Sequence, residues 1–331
     1  MKRFLLSIFI LAQMSQAMGQ QRPQFTQYFF NNFLINPAIS GIERYVDVKA
    51  GHRTQWVGLA GAPVTTFIYA YMPLGDDYIN SNAGSFAGQG NDPNSRSYLQ
   101  NYAAAESHHG IGFHVIKDAA GPFNSLNFNA TYAYHMGLSP RVNLALGVNL
   151  GISNDYLDRE KIDADRRNDV AVINSLGNHT NPDAGFGLWL YGPTFFLGAS
   201  AQQLLASMSK LTYGGKEVSH FYLTGGYKLM IADNISLMPS AMVKYANPSP
   251  VTVDFSAKVM FRDAFWLGGG YRQVDSFAAF VGFNVSSLIN VGYSYDFTTS
   301  ALGAVSKGTH EIILGLLLNN RYKVTCPQML W

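Results

Sequence analysis

The sequence has a single cysteine, few charged residues and no long apolar run in its mature part. Cys326 has no second cysteine to pair with, which excludes an internal disulfide framework. Charged residues make up 13% of the chain, far below the roughly 25% of ordinary soluble domains. No stretch after residue 19 reaches 18 consecutive apolar residues, which excludes a helical membrane protein. If this chain spans a membrane, it does so with strands.

The first residues have the pattern of a secretory signal peptide. Lys2 and Arg3 precede a short apolar run at 4–12, and small residues follow up to Gly19. We predict that residues 1–19 are removed. Without Lys2 and Arg3, the count of Lys and Arg falls from 23 to 21 and equals the 21 Asp and Glu. The mature chain is therefore neutral, with no basic excess that would indicate nucleic acid as a partner.

Aromatic residues and glycine are abundant. The chain has 19 Tyr, 22 Phe and 32 Gly. An outer-membrane β-barrel has this composition, because its lipid-facing belt excludes charge and its two rims carry aromatic girdles.

Period-two alternation runs through much of the sequence and predicts strands. In the stretch 142–153, Val, Leu and Ile alternate with Asn, Ala, Gly and Ser. The stretches 126–134, 277–285 and 289–296 alternate in the same way. The second face is rich in Gly, Asn and Ser, where a soluble sandwich would carry Lys and Glu, and this favours a barrel with a crowded or wet lumen.

We predict an all-β fold, a transmembrane antiparallel β-barrel of about fourteen strands over residues 45–320. The predicted strands lie near 45–57, 64–73, 108–117, 124–136, 142–154, 184–191, 194–203, 219–230, 234–246, 250–261, 264–273, 276–286, 288–296 and 308–320. An even number places both termini on one side, which in bacterial barrels is the periplasm. Tight connections at 137–141, 192–193, 231–233, 262–263 and 287 are then periplasmic, and the longer ones at 155–183, 204–218 and 297–307 are extracellular.

Three segments lie outside this strand pattern. The polar insertion 74–107 falls where a periplasmic turn is expected, and it is either a contact loop, a disordered insertion or a sign that the strand parity changes there. Residues 20–44 are too apolar for a free tail, and we predict a periplasmic segment docked against the barrel end. Residues 321–331 form a C-terminal tail.

The sequence shows no pattern that indicates catalysis or a metal cofactor. The eight histidines lack the spacing of metal ligands on a helix. The acidic run 155–169 lacks the glycine and terminal glutamate of a helix–loop–helix calcium site, so a solvated loop with internal ion pairs is the better interpretation. No G-x-S-x-G elbow is present. We therefore predict a protein that is not an enzyme and needs no cofactor.

Eight stretches follow one another along the chain as motifs: QFTQYFFNNFLINPAISG (24–41), RTQWVGLAGAPVTT (53–66), DAAGPF (118–123), YAYH (132–135), PDAGFGLWLYGPTFFLGASAQQLL (182–205), GYSYDFTTSALG (292–303), GTHEIILG (308–315) and CPQM (326–329). In this order they resemble one family, the PorP/SprF outer-membrane proteins of type IX secretion. The resemblance covers nearly the whole mature chain, and the insertion 74–107 is its main departure.

The resemblance implies a role in type IX secretion and, in relatives, gliding. It implies contact with the C-terminal domain of an exported adhesin and with peptidoglycan-associated components of the periplasmic secretion motor. It carries over no catalytic residue. The candidates for partner contact or barrel architecture lie in the matched stretches: Asn36, Pro37, Arg53, Gln55, Trp56, Pro182, Asp183, Tyr293, Asp296, His310 and Glu311.

The lumen separates the leading hypothesis from its main alternative. A protein-handling barrel can be filled, whereas a channel for a small solute needs an open path or a plug with a lateral gap. The inward positions Phe196, Met238, Met242 and Phe280 favour a filled barrel. Since Ile312, Leu314, Leu316 and Leu318 face outward by alternation, Glu311 faces inward, and we predict that it pairs with Arg53 or Lys244.

Overall fold

The computed structural model describes residues 23–75, 102–162, 178–205, 217–232, 234–247, 249–261 and 264–320. Within them, strands follow one another as β1 Val46–Thr54, β2 Val64–Leu74, β3 His108–Ala120, β4 Phe123–Ser139, β5 Val142–Leu157, β6 His179–Tyr191, β7 Phe195–Gln202, β8 His220–Tyr227, β9 Leu229–Ala232, β10 Ile235–Tyr245, β11 Thr252–Phe261, β12 Phe265–Arg272, β13 Ser276–Asn284, β14 Ile289–Thr298 and β15 Thr309–Leu318. Short 3-10 turns lie at Asn32–Leu34, Pro37–Ile39, Arg159–Lys161 and Ala301–Ala304. No helix in these ranges is long and apolar enough to cross a membrane.

The strands form one closed antiparallel barrel. Apart from β8 and β9, each strand pairs with the next one in the chain, and β1 also pairs with β15, so that Val46 lies opposite Leu318 and Thr54 opposite His310. The segments β8 and β9 both pair with β10 and act as one barrel strand that is interrupted at Lys228. The interruption lies opposite Met238 and Pro239, and proline cannot donate a backbone hydrogen bond to the ladder. The barrel therefore has fourteen strands, as predicted.

The alternation along the strands sorts side chains as the sequence predicts. On β5, Asn143, Ala145 and Asn149 are buried, whereas Val148 and Leu150 are exposed on the outer face. Phe196, Met238, Met242 and Phe280 are all buried in the interior, as predicted. The apolar outer face is the surface that a barrel presents to lipid.

Aromatic side chains on the outer face form two bands. Near the end where β15 finishes, the ring of Phe265 lies 6.0 Å from Phe261 and 5.1 Å from Phe283. Near the opposite end, Tyr271 lies 4.9 Å from Phe277. Rings at both ends of the same strands are the girdles expected at the two membrane–water interfaces.

We call the end of the barrel where β1 begins and β15 finishes the terminal rim, and the opposite end the loop rim. At the terminal rim, β4 and β5 are joined by 140–141, and β6 and β7 by 192–194. The longer connections 158–178 and 203–219 lie at the loop rim. Apart from the connection after Leu74, the longest connections therefore lie at the loop rim, although that rim also has the short connections 121–122 and 273–275.

The polar insertion and the acidic run are described in part. Of the insertion, residues 76–101 lie outside the described ranges. Its last part packs on the terminal rim, where Tyr102 is buried and its hydroxyl accepts a hydrogen bond of 2.9 Å from Asn143 Nδ2. In the acidic run, residues 163–169 lie outside the described ranges, and Lys161 pairs with Asp158 at 3.5 Å. The predicted signal peptide, the C-terminal tail and Cys326 also lie outside them.

Candidate functional site in the barrel lumen

The N-terminal segment runs through the inside of the barrel. We call residues 23–45 the luminal segment, and every residue in it from Phe25 to Tyr45 is buried. Its contacts are with inward residues along the whole barrel, from Arg53 near the loop rim to Gly110 near the terminal rim. The expectation was a segment docked against the barrel end. It lies inside because its aromatic side chains find apolar and aromatic partners on the inner wall.

The loop-rim end of the luminal segment is held by charged side chains. Arg53 Nη1 donates to Thr26 Oγ1 and lies 3.0 Å from Glu311 Oε2. Its Nη2 lies 2.9 Å from Asp296 Oδ2. Glu311 also accepts the backbone N–H groups of Thr26 at 2.9 Å and Gln27 at 3.2 Å. The predicted pairing of Glu311 with Arg53 is therefore confirmed.

A second arm of ion pairs extends this group around the wall. Arg272 lies 3.6 Å from Asp296 and 3.5 Å from Asp254, and its Nη2 donates to the Phe25 carbonyl at 3.4 Å. Lys244 pairs with Asp254 at 2.9 Å, on the neighbouring strand, and not with Glu311. We call the whole set the luminal charge cluster; its members are Arg53, Lys244, Asp254, Arg272, Asp275, Asp296 and Glu311.

Aromatic contacts hold the middle of the luminal segment. The Phe33 ring lies 5.0 Å from Tyr69 and 5.0 Å from Tyr71, both on β2. Phe30 lies 5.4 Å from Trp266, and Lys49 Nζ lies 4.2 Å above the Phe30 ring while donating to its carbonyl at 3.1 Å. Such ring pairs add about 0.5–1.5 kcal/mol each beyond the area that they bury.

Asn36 and Pro37 begin the turn at the terminal-rim half. The Asn36 side chain accepts from the Ala38 N–H at 3.0 Å and donates to the Leu188 carbonyl at 2.9 Å. A Cβ on Gly147 would lie 2.3 Å from the Ala38 nitrogen. Only glycine allows the wall to approach the segment this closely. Asn36 and Pro37 thus have an architectural role, which the sequence analysis had left open.

Two histidines hold the end of the segment. His135 Nε2 donates to the Ser40 carbonyl at 2.8 Å, and His108 has Nε2 3.1 Å from the Gly41 carbonyl and Nδ1 2.7 Å from the Glu106 carbonyl. Their rings are stacked at 4.5 Å. The alternation in the sequence predicts a strand that begins at His108 and gives that residue no partner.

The structure separates the eleven candidates into three groups. Asn36, Pro37, Arg53, Asp296 and Glu311 all lie in the lumen, but only Arg53, Asp296 and Glu311 contact one another, and Asp183 lines the same interior on β6. Tyr293, His310 and Pro182 point outward, and the Tyr293 hydroxyl lies 2.7 Å from His310 Nδ1. Gln55 and Trp56 lie in the β1–β2 connection at the loop rim, where the Trp56 N–H donates to Thr309 Oγ1 at 3.1 Å.

Sequence reasoning missed the partners on the luminal segment and the glycines that face it. Thr26, Arg272, Gly147 and Gly187 make close contacts and were not among the candidates, although Thr26 and Gly187 lie in the matched stretches 24–41 and 182–205. The sequence offered one signal for those that lie on strands. Alternation along a strand places each of them at a position that faces the inside of the barrel.

Solved structures with a similar barrel include Omp33 of Acinetobacter baumannii, with a TM-score of 0.48 and 8% identity over 84% of this chain and 100% of that chain. The toluene transporter TbuX of Ralstonia pickettii has a TM-score of 0.47 and 11% identity, over 86% and 92% of the two chains. A FadL homologue of Pseudomonas aeruginosa has a TM-score of 0.44 and 11% identity, over 90% and 94%. No curated protein matches the chain.

One family model matches nearly the whole chain. It describes the type IX secretion system membrane protein PorP/SprF and covers residues 17–316. A membrane protein that is a closed barrel with an apolar outer face and aromatic girdles lies in the bacterial outer membrane. The chain therefore belongs to the PorP/SprF family and is an outer-membrane component of type IX secretion.

Proposed function

We propose that this protein is a non-enzymatic, filled barrel that helps to export or anchor large adhesins at the cell surface and so supports gliding. The observation that carries the proposal is the luminal segment, in which every residue from Phe25 to Tyr45 is buried. A solute channel needs an open path, whereas a barrel that works through its rims can be filled by its own chain.

The two rims are the surfaces that remain for partners. We infer that the terminal rim faces the periplasm, because bacterial barrels have short periplasmic turns and longer extracellular loops. The terminal rim then meets the peptidoglycan-associated components of the secretion motor, and the loop rim meets the C-terminal domain of the exported adhesin. The buried Tyr102, which anchors the end of the 74–107 insertion, supports the insertion as a contact at the terminal rim.

Surface display of the adhesin tests this proposal. We expect a deletion strain to lose adhesin from its surface, measured with antibodies on intact cells, while uptake of small solutes stays at the wild-type level. Complementation with the wild-type gene should restore display. Normal display combined with a loss of uptake of one solute would instead support the alternative, a channel for a small solute. A pull-down from detergent-solubilised membranes identifies which partners bind.

A further inference from the structure

Asp183 differs from four other acids that are buried in the lumen. Asp47, Asp254, Asp296 and Glu311 each have a lysine or arginine nitrogen within 3.1 Å. Asp183 is 4% exposed, and no lysine, arginine or histidine in the described ranges forms an ion pair with it. One of its oxygens accepts from Asn129 Nδ2 at 3.1 Å, and the other has no described donor. An unpaired buried carboxylate is costly, and a bound cation would offset that cost.

Two amide oxygens converge at the next inward position of the same strand, over Gly185. Gly185 lies two residues from Asp183 on the same inward face of β6. The Oδ1 atom of Asn149 lies 2.1 Å, and the Oε1 atom of Gln202 lies 2.6 Å, from the point where a Cβ on Gly185 would stand. Both side chains are at most 2% exposed, and neither oxygen has a donor among the described residues. A glycine at this position leaves room for two acceptors that nothing in the described wall satisfies.

The hydrogen bonds identify these atoms as oxygens. The Asp183 carboxylate only accepts, so Asn129 turns its nitrogen toward it and its oxygen toward Asn149 Nδ2, at 3.1 Å. Asn149 is left with its oxygen over Gly185. Gln202 Nε2 donates to the Ile35 carbonyl at 3.1 Å, which leaves Oε1 facing the same point. The region therefore offers one negative charge and two carbonyl-type oxygens.

We propose that Asp183, Asn149 and Gln202 bind one calcium ion inside the barrel. Calcium takes six to eight oxygen ligands from carboxylates, amide carbonyls, backbone carbonyls and water. A single carboxylate gives a low ligand charge, for which we expect a Kd of about 10⁻⁴–10⁻³ M, as in extracellular calcium modules. The site is built mainly from amide side chains, and no group of three His, Cys, Asp or Glu side chains that could hold a metal ion is assembled in the described ranges.

The site would also brace the luminal segment. Its ligands come from three adjacent strands, β5, β6 and β7, and Gln202 holds the Ile35 carbonyl with its nitrogen. An ion at this point would tie the strands to each other and to the segment through one side chain.

Calcium binding to the detergent-purified protein tests the proposal. With ⁴⁵Ca²⁺ in equilibrium dialysis, we expect one saturable site in the wild type and at least a tenfold weaker one in Asp183→Asn, which keeps the size of the side chain. Gln202→Glu adds a second carboxylate and should tighten binding about tenfold. Asp118→Asn is the matched control, because Asp118 is an inward acid on β3 that bonds Thr65, away from this point.

The same variants give a readout that is independent of dialysis. Millimolar calcium should raise the unfolding temperature of the wild type and of Asp118→Asn, and leave that of Asp183→Asn unchanged. Absence of saturable binding in the wild type, or equal binding in Asp183→Asn, would overturn the proposal and leave water as the ligand of these oxygens. If Asp183→Asn does not fold, Gln202→Glu still tests the proposal. A calcium affinity of Gln202→Glu equal to that of the wild type would also contradict the proposed site.

Discussion

The guanidinium of Arg53 lies 3.0 Å from the carboxylate of Glu311, and the two residues stand directly opposite each other on β1 and β15. These are the first and last strands of the barrel. The ion pair therefore joins the two ends of the sheet at the point where the barrel closes. The same two side chains hold Thr26 of the luminal segment.

Replacing Arg53 with alanine should destabilise the barrel strongly. Asp296 and Glu311, which are 2% and 0% exposed, would then lose their nearest cation. Removing one partner of a buried ion pair costs about 3–5 kcal/mol. Urea titration of the protein in lipid vesicles measures the free energy of unfolding.

Lys161→Ala is the matched control for this change. Lys161 pairs with Asp158 at 3.5 Å, but its side chain is 54% exposed. Such surface pairs contribute about 0–1 kcal/mol. An equal effect of the two substitutions would contradict a structural role for the buried cluster.

Gly147→Val should displace the luminal segment from the lumen. The new Cβ would lie 2.3 Å from the Ala38 nitrogen, a backbone atom of the buried turn at Pro37–Ile39. We expect ion conductance in planar bilayers to rise above that of the wild type. Gly225→Ala, where the nearest atom is 3.6 Å away, should leave conductance unchanged. A closed Gly147→Val barrel would show that this contact does not hold the segment.

Phe33→Ala should lower the free energy of unfolding by about 3–5 kcal/mol, the range for removing a buried phenylalanine. Phe33 is 2% exposed and packs between Tyr69 and Tyr71. The comparison is Leu150→Ala on the lipid-facing side, where the side chain is 65% exposed and should lose much less. Urea titration distinguishes the two, and a larger loss for Leu150→Ala would place the stabilising contacts on the outer face.

Leu314→Arg and Leu318→Arg test the membrane span along one strand. Both side chains face outward on β15, with Leu314 in the middle and Leu318 at the terminal rim. An arginine at the bilayer midplane costs about 2–4 kcal/mol, and near the interface about 0–1 kcal/mol. The fraction folded after insertion into vesicles, read from heat-modifiable gel migration, should fall for Leu314→Arg only. Equal behaviour would place the bilayer elsewhere on the barrel.

The strands and their faces could be predicted because the information is local. Alternation over 142–153 identifies β5 and its inward residues, and the same logic turns Glu311 toward Arg53. The predicted strand bounds were less accurate where the alternation of apolar and polar residues is weak. The structure extends β6 back to His179, because pairing with β5 continues through Asp155 although the sequence there has no apolar alternation.

The course of the luminal segment could not be predicted in this way. Its partners lie far away in the chain, as in the contact of Asn36 with Leu188, and no periodicity links the two. The apolar content of residues 20–44 indicates that they must be buried. It does not distinguish burial against the barrel end from burial inside the lumen. The convergence of Asn149 and Gln202 over Gly185 also depends on the pairing of three strands.

The bonds of Glu311 have a consequence for how the barrel is assembled. Its carboxylate accepts hydrogen bonds from the Arg53 guanidinium across the β1–β15 seam, where the barrel closes. It also accepts hydrogen bonds from the backbone N–H groups of Thr26 and Gln27. The charge on Glu311 is fully compensated only when β1 meets β15 around a segment that is already in place. Placement of the luminal segment and pairing of β1 with β15 should therefore occur in one cooperative step. In that step the N-terminal residues form the core around which these two strands pair.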